Sequence, residues 1–157
     1  MSERKDYDYY IFLDYSEDLI GYNIIEQKKI ITLLPKISRF EHYKGRKNRK
    51  IYLKHIGDTI KREKIKSFFE KIKIEESRKN VELFTEVLEF IKIHKHCILF
   101  LSVDDYQFKK LSKLLYLIDG KNTEIKKESQ LKKGTPEYQV SLVIDNLLNI
   151  ERRKQGK

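Results

Sequence analysis

Four acidic residues sit where this chain is otherwise most apolar. Asp14 closes the run Tyr9-Tyr10-Ile11-Phe12-Leu13, Asp104 and Asp105 follow Cys97-Ile98-Leu99-Phe100-Leu101-Ser102-Val103, and Asp145 interrupts Leu142-Val143-Ile144-Asp145-Asn146-Leu147-Leu148. A carboxylate carried inward by such runs is costly to desolvate unless a positive partner meets it. Convergent carboxylates suit a divalent cation, and their hard oxygens suit Mg²⁺ or Mn²⁺. The chemistry this supports is hydrolysis of a phosphodiester, in which two ions about 3.5–4 Å apart activate a water and neutralise the charge on the attacked and leaving oxygens. The alternative is structural: Asp104-Asp105 caps a following helix and Asp145 pairs with a Lys or Arg.

The charge balance points to a polyanionic partner. The chain has 34 Lys and Arg against 24 Asp and Glu, a formal net charge of +10 over 157 residues. Clustered cations bind phosphates and release counterions. Two clusters stand out: 42–50, with Lys44, Arg46, Lys47, Arg49 and Lys50, and the tail 152–157, with Arg152 and Arg153. We expect both to contact nucleic acid, DNA or RNA, with Tyr43 and Tyr52 placed equally to stack on bases or to pack in the core or at its edge. The competing reading is a solvated surface, which the absence of Ala and the abundance of Ile, Lys and Tyr also fit.

Other chemistries lack their residues. His94-Lys95-His96 has no further His or Cys at zinc-site spacing, no Gly-x-Ser-x-Gly surrounds Ser16, and no glycine-rich phosphate loop occurs. The lone Cys97 excludes an internal disulfide and reads as a small core residue. No apolar stretch reaches membrane-spanning length, and Met1-Ser2-Glu3-Arg4-Lys5-Asp6 lacks the apolar core of a signal peptide, so the expectation is a cytoplasmic protein without membrane contact. The length suits one domain over 1–157, with 36–50 as an exposed basic connection and 152–157 as a basic tail.

The elements that must position the acids follow from periodicity. Residues 7–14, 18–26 and 29–34 read as three strands joined by short connections, hence an antiparallel meander that Pro35 ends. A short strand is expected at 50–53. Asp58 is placed to cap a helix over 59–73. A second helix near 80–93 turns Leu83, Phe84, Val87, Leu88 and Ile91 to one face, and Glu86, beside Phe90 at the margin of that stripe, is the best placed of its glutamates to reach a strand-end carboxylate. A strand at 97–103, a helix at 105–118, a weak edge strand at 123–128 and a last helix opened by Thr135 and Pro136 complete the order.

This order and these residues resemble the ribonuclease H-like superfamily of nucleases. Asp14-Tyr15-Ser16 followed by Gly21-Tyr22-Asn23-Ile24-Ile25 looks like that superfamily's first strand with its metal-binding Asp and the turn into the second. Asp104 or Asp105 is similar to the acid ending the fourth strand, and Asp145 to the acid of the terminal helix. The resemblance implies an α/β fold, a mixed five-stranded sheet flanked by helices, in which a three-strand antiparallel meander precedes alternating helices and strands. It implies a metal-dependent nuclease in which Asp14 bridges two ions, Asp104 or Asp105 binds one, Asp145 binds the other and Glu86 completes the cluster, with Glu82, Glu89 and Glu70 as substitutes. Two other classes stay open: a non-catalytic nucleic-acid-binding protein on the same fold, and a protein using the fold only for protein contacts. Oligomeric state is not legible.

Overall fold

The computed structural model describes residues 7–16, 18–43, 47–94, 96–102, 105–119 and 123–155. Five strands form one mixed sheet: β1 (Tyr9–Ser16), β2 (Leu19–Glu26), β3 (Phe69–Glu76), β4 (Cys97–Leu101) and β5 (Glu124–Lys127), in the order β3-β2-β1-β4-β5. β1 pairs antiparallel with β2 and β2 with β3, while β4 runs parallel to both β1 and β5. The central strand explains its composition: Ile11 and Leu13 face one layer, and Phe12 and Asp14 face the other, so no position of its middle is spared from burial. β3, at the edge, alternates Ile72 and Ile74 with Lys71, Lys73 and Glu75, and these charges guard an exposed ladder.

Helices cover both faces. On one lie α3 (Asn80–Ile93) and α4 (Asp105–Asp119), whose Leu83, Val87, Phe90, Ile91 and Leu115 pack on Ile11, Leu13, Tyr22 and Leu99. On the other lies α5 (Pro136–Lys154), which crosses β1 and β2. Thr135 caps it, its Oγ1 accepting the Tyr138 N–H at 3.3 Å, with Pro136 in the first turn as the sequence indicates. Every residue of α5 from Val140 to Asn149 is buried. A helix hidden all round must be covered on both sides. The second cover is the segment between β2 and β3, formed by α1 (Gln27–Leu33), a 3₁₀ turn at Leu34–Ile37 and α2 (Arg49–Arg62).

That segment corrects several expectations. The run 29–34 is not a strand but lies in α1 and the following 3₁₀ turn, with Ile30, Leu33 and Ile37 inward at helical spacing and Ile31 exposed. The stretch 50–53 begins α2, and Asp58 lies within that helix rather than at its start. The helix expected over 59–73 stops at Arg62, where Lys64 adopts a left-handed backbone (φ 51°), and 69–73 belongs to β3. The antiparallel triplet therefore exists in space, but its third strand arrives after the helical insertion. Within 36–50, Ile37, Phe40 and Tyr43 are buried, so this stretch is basic but not wholly exposed. No helix among the described residues is long and apolar enough to cross a membrane.

Candidate active site

The three parallel strands end at one edge of the sheet, and their register sets a row of polar residues there. Leu13 is level with Leu101 and Leu101 with Lys127, so the next residues, Asp14, Ser102 and Glu128, stand side by side. The Ser102 N–H donates to the Leu13 carbonyl at 3.0 Å and carries the ladder one step past β4. Adjacent strands are about 4.8 Å apart, which brings the three side chains within mutual reach on the face that Phe12 and Phe100 share. The Ser102 side chain, between the two carboxyl groups, lowers the proton affinity of each.

Asp145 comes to this row from α5. Close approach of the helix depends on Gly21, directly across β1–β2 from Asp14: a Cβ there would meet Ile144 Cδ1, Leu148 Cδ2 and Ile74 Cγ1, each at 3.1 Å. Asp145 is buried, and its Oδ2 accepts the Tyr43 N–H at 3.0 Å while its Oδ1 lies 3.7 Å from His42 Nε2. The stretch bearing those two residues is pinned to α5 by further hydrogen bonds. Gln139 Nε2 donates to the Ile37 and Phe40 carbonyls at 2.6 and 3.0 Å, and Asn146 Nδ2 donates to the Glu41 carbonyl at 3.1 Å.

The electrostatics follow from burial and like charge. Asp14 is pushed up to about 6, first by burial and then by the Asp145 carboxylate, against the hydrogen bonds from Tyr15 N–H (2.8 Å) and Ser102. Glu128 is pushed up to about 8, again by burial first and next by Asp14. The Asp145 carboxylate thus raises the proton affinity of both groups, and Asp14 that of Glu128.

The expected residues divide clearly. Asp14 and Asp145 come together. Glu86 does not join them: it lies on the opposite face of the sheet, where Tyr22 Oη donates to its Oε2 at 2.9 Å and Lys73 Nζ pairs with Oε1, holding its carboxyl below the usual range. Glu70, one of its substitutes, is near Lys29 on β3. Asp105 opens α4, its side chain lying outside the described part, and Asp104 lies outside the described residues altogether, as do Lys44 and Arg46. Lys47, Arg49 and Lys50 are exposed at the start of α2, and Arg49 meets Arg152 and Arg153 around the Tyr43 ring. Sequence reasoning missed Glu128, Ser102 and His42. Glu128 had a signal, since it closes the run 123–128 expected as a strand, and ligands gather at the carboxyl ends of parallel strands.

Among the described residues no group of three His, Cys, Asp or Glu side chains is arranged to hold a metal ion. The donor set still fits one in kind. Mg²⁺ commonly takes only one or two protein carboxylates and fills its shell with water and substrate phosphate oxygens, and Asp14 with Asp145 meets that need.

No protein-family model matches this sequence, and no curated protein does. Among solved structures, the ribonuclease H2 of Pyrococcus horikoshii OT3 aligns with 93% of this chain and 72% of its own, at a TM-score of 0.55 and 11% identity. The ribonuclease HII of Archaeoglobus fulgidus, solved in complex with PCNA, aligns with 94% of this chain and 72% of its own, at a TM-score of 0.50 and 14% identity. With the strand order β3-β2-β1-β4-β5, these likenesses give the chain a ribonuclease H-like fold.

Proposed function

We propose that this ribonuclease H-like chain is a metal-dependent nuclease that hydrolyses phosphodiester bonds of DNA or RNA. The observation carrying the reading is the carboxyl row of buried Asp14 and half-buried Glu128, both pushed up by burial and by the Asp145 carboxylate beside them. Divalent ions, Mg²⁺ or Mn²⁺, would supply an activated water and neutralise charge on the attacked phosphate by a two-metal mechanism. Asp14 and Asp145 would hold them, with Asp104 or Asp105 as further ligands from the segment after β4.

The chain's own groups do the rest. The Tyr15 N–H orients Asp14, and the Tyr43 N–H orients Asp145. Glu128 takes the place assigned to Glu86. Pushed up to about 8, it holds a proton at neutral pH and reduces the negative charge a polyanion must approach. His42, beside Asp145, adds positive charge there when protonated. The exposed Lys47 and Lys50, with Arg49, Arg152 and Arg153, line the approach with cations, which favours a nucleic-acid substrate.

The test is cleavage of labelled single-stranded, duplex and hybrid oligonucleotides by the wild-type chain. Cleavage that needs Mg²⁺ or Mn²⁺ and stops with chelator is expected for at least one substrate. Binding without metal-dependent cleavage of any of them would leave the non-catalytic nucleic-acid-binding reading.

A further inference from the structure

α5 crosses β1 and β2, and over the β4–β5 half of the same sheet face a cavity of about 510 Å³ opens. Its volume falls within the roughly 300–1,000 Å³ of small-ligand pockets. Three aromatic rings bound it. Tyr7 and Tyr10 meet edge to face, with centroids 6.1 Å apart and planes at 85°, and Tyr10 lies nearly parallel to Phe100, at 6.4 Å and 22°. Two half-buried tyrosines at a right angle make a corner: a flat ring laid on one presents its edge to the other, and both arrangements are favourable.

The rest of the lining is polar, with its charges in balance. Glu124 and Lys126, level with Ile98 and Phe100 and therefore on their face, pair at 3.5 Å. With Lys132 and Glu137 they give two cations against two anions. Glu137 also stands in the first turn of α5, where its carboxylate meets the positive end of the helix. A phosphate is therefore not what these walls select. Nor is a wholly apolar ring, which would desolvate the charged pair and the Gln130 amide without supplying hydrogen bonds in return. We infer that this cavity binds a nucleobase, whose faces stack on tyrosine and whose in-plane donors and acceptors meet Glu124, Lys126 and Gln130. The wall bearing Gln130 is the 3₁₀ turn Glu128–Gln130, closed by the Leu131 N–H on the Glu128 carbonyl at 2.9 Å and the Lys127 N–H on Gln130 Oε1 at 3.2 Å. Glu128, its first residue, stands beside Ser102 and Asp14, so a base held against Gln130 also holds the turn that places Glu128. Neither this binding nor its test depends on the nuclease reading.

The base could belong to a free nucleoside or to a strand, and the experiment separates the two. Calorimetric titration of the full chain, with chelator present, should give saturable binding of adenosine or guanosine. Adenosine monophosphate should bind no more tightly than adenosine, and ribose and indole far more weakly. Tyr10→Leu should weaken nucleoside binding about tenfold, as loss of one stacking ring does, and Tyr116→Leu, at an exposed position of α4, should leave it unchanged. If Tyr10→Leu does not fold, Tyr7→Leu, which alters the other wall of the corner, takes its place. Displacement of adenosine by a short single-stranded oligonucleotide assigns the base to a strand, and no displacement assigns it to a free nucleoside. The carboxyl carbon resonance of Glu128 should move on adding adenosine to the wild type and stay fixed in Tyr10→Leu. No saturable binding of either purine nucleoside at about 1 mM, indole binding as tight as adenosine, a preference for the monophosphate, or an equal loss in Tyr116→Leu overturns the site. Binding that leaves the Glu128 resonance in place overturns its link to the carboxyl row.

Discussion

At the scale of single residues, the site is defined by which carboxyl groups resist ionisation. Asp14 and Glu128 have folded-state pKa values raised above their unfolded ones, to about 6 and about 8. The folded protein therefore holds these protons more tightly than the unfolded chain. Their contribution to stability is fully present below about pH 4 and is lost as pH rises through the two folded values. We predict that the metal-free wild type loses Tm between pH 5 and pH 8, and that Glu128→Gln flattens this slope; a variant whose slope matches the wild type would show that Glu128 is not coupled to Asp14. Exposed carboxylates such as Glu63, lowered by Lys36, work in the opposite sense and matter only at acid pH. Glu86 illustrates the limit of one-dimensional reading. Its place at the edge of an apolar stripe was visible, but which face of the sheet its helix covers was not, and that face belongs to Lys73 and Tyr22 rather than to Asp14.

At the scale of elements, the site depends on how low α5 sits on the sheet. Gly21 leaves room for Ile144 and Leu148, the neighbours that bring Asp145 to Asp14. Gly21→Val should cost about 1–3 kcal/mol by overpacking, and should reduce any cleavage activity more than an equally destabilising change on the α3 side, such as Leu83→Val. Denaturant midpoints beside rates would check it, and an activity loss proportional to stability alone would remove Gly21 from the account. Elements with a clear period were legible: β1, β2, α3, β4, α4, β5 and the start of α5 all fall where apolar spacing and the Thr135-Pro136 signal place them. The insertion was not. Ile30-Ile31-Thr32-Leu33-Leu34 is too short a run for its period to distinguish helix from strand, and the alternation Ile72-Lys73-Ile74 overlaps the end of the helix expected over 59–73. What overrides local pattern is tertiary: α1 is helical because Ile30, Leu33 and Ile37 join the core that covers the outer side of α5.

At the scale of the whole molecule, a net charge of +10 surrounds the buried carboxyl groups of Asp14 and Asp145. Cations outside favour a polyanion's approach, and carboxylates inside require a counter-ion once it arrives. Two consequences can be measured without knowing the substrate. Affinity for any oligonucleotide should fall steeply with salt, and Lys47→Gln/Arg49→Gln should make the slope shallower by about 0.7 per lost phosphate contact on single strands. Mn²⁺ should raise the wild-type Tm, by about 2.7 kcal/mol of stabilisation at a hundredfold excess over Kd, and should not do so in Asp14→Asn/Asp145→Asn. The most direct test of the central claim is the rate of Mg²⁺- or Mn²⁺-dependent cleavage of a bound labelled oligonucleotide by Asp14→Asn, with Glu86→Gln as the comparison. The account predicts that Asp14→Asn binds as the wild type does but loses cleavage by about a thousandfold or more, as befits loss of a group that acts on the transition state, while Glu86→Gln cleaves at the wild-type rate. Full cleavage by Asp14→Asn would contradict it.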